Sequence, residues 1–170
     1  MTVATETQAR ALDEKDLGVL MQYTVEAYKT FEKLAENLPN PMTAQMFKAF
    51  AVDERETRDL IDMKIAANQG TRVRITLAGD LRFQDIIEGE MSYREATEAL
   101  IAREKAMENR LRAMVSGSAQ TDRNLLIYIA ATKRAHVVEL ERELELLKFD
   151  AQWYRREDAE YRIVHGPKSE

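Results

Sequence analysis

The chain has 170 residues, of which 45% are apolar and 32% charged, with 30 Asp plus Glu against 25 Lys plus Arg. That is the length of one domain with enough apolar content for a continuous core, and it excludes a disordered acidic tail. The absence of cysteine excludes disulfides, thiolate catalysis and cysteine-held iron or zinc, and with two histidines, His136 and His165, any metal site must be mostly carboxylate.

Six glycines and three prolines leave long stretches free for helix. The polar first ten residues are expected to fray. Asp13 is placed to cap a helix running to about Leu38, with Leu17, Leu20, Met21, Thr24, Tyr28, Phe31 and Ala35 on one face. The segment from Asn37 to Pro41 stops it, because its two prolines cannot sit inside a helix. A second helix is expected from Thr43 to Asn68, ended by Gly70. From Thr71 to Tyr93 the pattern is least regular. Thr71 to Thr76 alternates like a short strand, Leu81 to Ile87 has room for one or two helical turns, and the whole reads as a crossover.

Ser92 and Glu95 have capping-box spacing and open a third helix that reaches about Val115. After the break at Ser116-Gly117-Ser118, Asp122 or Thr121 opens a fourth through Leu125, Ile129, His136 and Leu140. The run from Glu139 to Leu147 alternates charge and leucine as solvated or dimer-forming helices do. Asp150 to Tyr161 is helical in composition, and Trp153 and Tyr154 suit it to anchor on the bundle, a second subunit or a partner. His165 falls in a polar tail. The expected architecture is all-α: an antiparallel four-helix bundle over 12–148 with a long crossover between helices 2 and 3, then an amphipathic helical extension over 149–163.

Each half of the chain carries a similar phrase. Tyr28-Lys-Thr-Phe31 to Ala35 is followed by Phe50-Ala-Val-Asp-Glu54-Arg-Glu-Thr57, and Ala99 to Leu111, which includes Glu104, is followed by Ile129-Ala-Ala-Thr-Lys133-Arg-Ala-His136. Together with the helix lengths, these phrases resemble the rubrerythrin-like branch of the ferritin-like superfamily. The resemblance implies a ferritin-like bundle holding two iron ions by a Glu on the first helix, a Glu-x-x-His on the second, and the same set on the third and fourth. It places Glu54, Glu104 and His136 at matching ligand positions. Three other positions are altered: Met21, counted seven residues back from Tyr28, stands for the first Glu, Thr57 for a His and Lys133 for a Glu. Tyr28 is implied as the core aromatic beside the site. The cysteine-free chain is expected to lack the rubredoxin-like domain of full rubrerythrins.

A methionine is a poor ligand for oxidised iron, threonine is a weak neutral one, and a lysine in a metal cage repels the metal. Buried together, Glu54 and Glu104 would repel, and Lys133 supplies the compensating charge, with Thr57 and His136 as further partners. Three placements are open for His136: a ligand remnant, a core histidine bonded to Glu104, or a half-exposed side chain. Lys105 and Glu108 are expected to face water. The expectation is a bundle with no cofactor and no di-iron redox chemistry, serving a structural, interaction or ligand-binding role. The alternative is an oxidase or peroxidase using iron or manganese on Glu54, Glu104 and His136. A homodimer or another protein is the expected partner, with neither nucleic acid nor membrane, since no basic face and no long apolar run is visible. The lack of a signal-peptide core makes the cytoplasm the expected compartment.

Overall fold

The computed structural model describes residues 10–168, so the expected fraying of the first residues falls, apart from Arg10, outside the described residues. Asp13 Oδ1 accepts the Asp16 N–H at 2.8 Å while Asp16 Oδ2 accepts the Asp13 N–H at 3.2 Å, a reciprocal cap on α1 (Glu14–Asn37). Buried Asn40 caps α2 (Pro41–Ala67) by accepting the N–H groups of Met42 and Thr43 at 2.9 and 3.2 Å. This helix starts two residues before the expected Thr43, because the fixed φ of Pro41 suits the first helical position.

The crossover holds no strand among the described residues. Val73 and Ile75 are half-buried and Leu77 is buried, so the alternation is real, but no second strand lies beside it to pair. The segment instead lies extended over α1 at Gly18. A Cβ at Gly18 would stand 2.8 Å from Ile75 Cγ1 and 3.0 Å from the Val73 carbonyl oxygen. A 3-10 turn at Gly79–Leu81 and the short α3 (Gln84–Glu88) supply the helical turns that the sequence suggests here. Arg103 fastens this stretch, donating to the Arg82 carbonyl at 2.7 Å and to Asp85 at 2.6 Å.

Ser92 and Glu95 form the expected capping box on α4 (Tyr93–Val115). The next helix, α5 (Gln120–Phe149), begins after Ala119 with no side-chain cap, earlier than Thr121 or Asp122. Asp122 is not free to cap it: it is buried, accepts the Leu12 N–H at 2.9 Å and pairs with Lys64. Helices α1 and α2 pack as one antiparallel hairpin and α4 and α5 as the other, while α2 and α5 meet much more sparsely. Phe31, Phe47, Phe50 and, from the crossover, Phe83 fill the space between the hairpins.

The helical extension expected over Asp150 to Tyr161 is broken into short turns. Asp150 accepts from the Gln152 N–H at 3.0 Å and holds Arg156 at 3.0 and 3.2 Å, which closes a tight turn before a 3-10 turn at Trp153–Arg155. The last helix, α6 (Ala159–His165), follows, so His165 ends a helix rather than sitting in a tail. Trp153 is anchored on the bundle itself. Its indole N–H donates to Glu143 at 3.3 Å, and its carbonyl accepts from Asn40 at 2.7 Å.

Glu143 is the hub of this end, taking Thr43 Oγ1 at 2.7 Å and the Tyr93 hydroxyl at 3.1 Å as further donors. Burial pushes its carboxyl above the ordinary value, against the pull of those donors. Replacing Glu143 with alanine strands three donors from three segments, two buried and the half-buried Tyr93. A loss of about 2–3 kcal/mol is expected in urea denaturation, with Trp153 fluorescence moving first.

Candidate functional site

Midway along the bundle the four long helices bring six polar side chains to one place. Glu54 and Thr57 come from α2, Glu104 from α4, and Lys133 and His136 from α5; Tyr23 reaches in from α1. All are 1% exposed or less. The spacing of three that separates Glu54 from Thr57, and Lys133 from His136, keeps each pair on one helix face.

The Lys133 ammonium is bonded to Glu54 Oε1 and lies 3.6 Å from Glu104 Oε2. The Tyr23 hydroxyl donates to Glu104 Oε2 at 2.5 Å. His136 Nδ1 meets Glu104 Oε1 at 2.7 Å, and Nε2 meets Asp53 Oδ2 at 2.8 Å at the edge of the bundle. Above the imidazole lies Phe50, its ring centroid 4.1 Å away. Two buried atoms, Glu54 Oε2 and Thr57 Oγ1, have no hydrogen-bond partner among the described residues.

The charges follow from these contacts. Burial works to raise the Glu104 carboxyl, but Lys133, His136 and Tyr23 outweigh it and hold it below the ordinary value. For Glu54 burial wins: its carboxyl is raised even with Lys133 beside it. Burial would lower Lys133, yet Glu104 and Glu54 keep it above its ordinary value, so the amine stays protonated. Burial also opposes protonation of His136, and the hydrogen bonds to Asp53 and Glu104 reverse that. With a carboxylate oxygen at each ring nitrogen, both nitrogens donate and the ring is an imidazolium. Tyr23 is pushed well above its ordinary value by burial and by Glu104, so it remains a neutral donor.

No family model matches the chain, and no curated protein matches it. Among solved structures it is similar to bacterioferritin of Mycobacterium tuberculosis, at 23% identity and a TM-score of 0.65 over 88% of this chain and 90% of that one. It is also similar to a hypothetical protein from Pyrococcus furiosus, at 17% identity and a TM-score of 0.61 over 80% of this chain and 90% of that one. The fold is a ferritin-like four-helix bundle.

Within the ferritin-like bundle, Glu54, Glu104, Lys133 and His136 converge, and the histidine takes the core placement bonded to Glu104. Thr57 is buried beside them but bonds to none, contrary to its expected role as a further partner in the network around Glu54 and Glu104. Tyr28 is not beside the site. It is half-buried and its hydroxyl donates to Glu32 at 3.1 Å. Tyr23 is the aromatic at the centre, and it stands about 140° around the helix from Tyr28. The count that put Met21 at a ligand position therefore starts from the wrong tyrosine; Met21 is a core residue about 160° around α1 from Tyr23. Glu108, expected to face water, is 7% exposed and sits between Arg112 and Arg134 at 2.9 and 3.8 Å. Asp53 and Tyr23 are the site residues that sequence reasoning missed.

Proposed function

We propose that this ferritin-like bundle, allied by its repeated phrases to the rubrerythrin-like branch, has lost di-iron redox chemistry and serves a structural or ligand-binding role. Lys133 takes the place of metal as the counter-charge of Glu54 and Glu104. The observation that carries this reading is the Lys133 ammonium lodged against both carboxylates. The donor set does not suit a pair of iron ions. Two buried carboxylates are already opposed by an ammonium, so a dinuclear centre would leave a large excess of positive charge in the core. An imidazolium bonded at both nitrogens has no lone pair to give a metal. The cytoplasm remains the proposed compartment and a homodimer or another protein the proposed partner. No helix among the described residues is long and apolar enough to cross a membrane.

A second reading has one observation in its favour. Glu54, Glu104 and His136 each offer a ligand atom, and these atoms lie within 4.8 Å of one another. Two carboxylates and an imidazole suit a single ferrous or manganous ion of an oxidase or peroxidase. That reading requires Lys133 to swing away and His136 to release a carboxylate.

Restoring two of the altered positions, Lys133 and Thr57, separates the readings. The double variant Lys133→Glu with Thr57→His is expected to gain stoichiometric ferrous binding under anaerobic conditions, with helicity retained by circular dichroism, while the natural chain binds none. Equal iron in both proteins would sink the proposal.

A further inference from the structure

The sparse meeting of α2 and α5 leaves a groove of about 500 Å³ on the bundle surface, and its floor is the outer edge of the buried centre. Met42, Met46 and Phe50 give it an apolar wall, and the same Phe50 ring covers His136. Asp53 faces it as a half-exposed carboxylate, 43% accessible, whose Oδ2 is bonded to His136 while Oδ1 carries no hydrogen bond among the described residues. At the rim Glu139 and Arg142 neutralise one another at 2.5 Å. Glu160, reaching across from α6, has no basic partner among the described residues.

The size is that of a small-molecule site, and its balance of groups is specific. Once the Glu139–Arg142 pair is set aside, the carboxylates facing the groove are Asp53, which shares the His136 charge with buried Glu104 and keeps Oδ1 open, and Glu160. A neutral apolar guest would leave both unused, and an anion would be repelled by both. We propose that this groove binds a small organic cation with an apolar body, such as an arylalkyl amine. The ammonium would sit at Asp53 Oδ1, with the body against the Phe50 ring and Met46 and with Glu160 further along the groove. Because Asp53 also holds His136, occupancy is felt inside the bundle: a cation at Oδ1 shares the charge on which His136 Nε2 depends. The inference goes beyond the metal-free reading and can fail without it.

The test is an NMR titration of the full chain with phenethylammonium, following the Met46 methyl and the His136 ring, with phenylacetate as an anion of matching body. Saturable shifts of both probes at about millimolar amine are expected, with no saturation by phenylacetate. Asp53→Asn should weaken binding about tenfold. Since Asp53 also touches His136, Glu160→Gln and Met46→Ala, the latter read at the His136 ring, are measured too, both outside the centre, and each should weaken binding about two- to fivefold. No saturable shift, equal binding of the anion, or indifference to all three variants would overturn the proposal. So would a dimer in sedimentation whose interface buries the groove. Iron content of the natural chain is unaffected by any of these results, so the two readings are judged separately.

Discussion

Replacing Lys133 with methionine is expected to cost the folded state about 3–5 kcal/mol at neutral pH, because it leaves Glu54 and Glu104 facing each other without their counter-charge. Methionine keeps most of the volume, so the loss reports charge rather than a cavity. Its pH dependence has a definite sign. Burial already raises Glu54 above 4.5, and loss of the ammonium raises it further. The folded variant then holds a proton that the unfolded chain releases, so its stability falls as pH rises from 4.5 through the shifted value. Glu104 works the same way on the comparison. Its depressed value in the natural protein contributes stability above 4.5 that is lost as pH falls. The deficit should be small at acid pH and largest near neutrality. A deficit independent of pH would mean that Lys133 matters only through its methylenes. Adding Glu54→Leu should return most of the loss, since two desolvated charges leave together.

Glu104→Ala is expected to be as severe, about 3–5 kcal/mol, by a different route. Glu104 is the acceptor for the Tyr23 hydroxyl at 2.5 Å and for His136 at 2.7 Å, so alanine orphans two donors and opens a cavity between α1 and α5. Glu104→Gln keeps the shape and one acceptor oxygen, and a smaller loss of about 1–3 kcal/mol is expected. That variant should also lower the His136 titration followed by NMR. The raised value of His136 contributes stability present below 6.5 and lost as pH rises through its folded value, so this part of the pH profile should flatten. An unchanged His136 titration would mean that Asp53 alone holds the ring charged.

The parts of this centre that repeat at helical spacing were visible in the chain before its fold. Glu54 with Thr57 and Lys133 with His136 are three apart, and two helix pairs joined by a crossover bring such faces together. Residues that reach the centre from the edge of a face were not visible. Tyr23 lies about 120° off the stripe centred on Leu17 and Ala35, so periodicity favoured Tyr28, which belongs to the rim. Asp53 adjoins Glu54, and neighbours on a helix diverge by about 100°; only the height of His136 on α5 brings the ring's far nitrogen to it. Glu143 was hidden in a run that alternates charge and leucine, since its three donors come from Thr43, Tyr93 and Trp153, far apart in sequence. The strand-like alternation of Thr71 to Thr76 fixed which side chains turn inward, but a strand needs a neighbour, and local pattern carries no information about one.

The most direct test of a lysine-centred bundle is the iron content of the natural chain after anaerobic equilibration with excess ferrous ion and removal of free metal by gel filtration. The expected result is no stoichiometric iron. One ion per chain that disappears in Glu104→Gln would contradict the account and establish the single-ion site, and two would return the protein to di-iron chemistry.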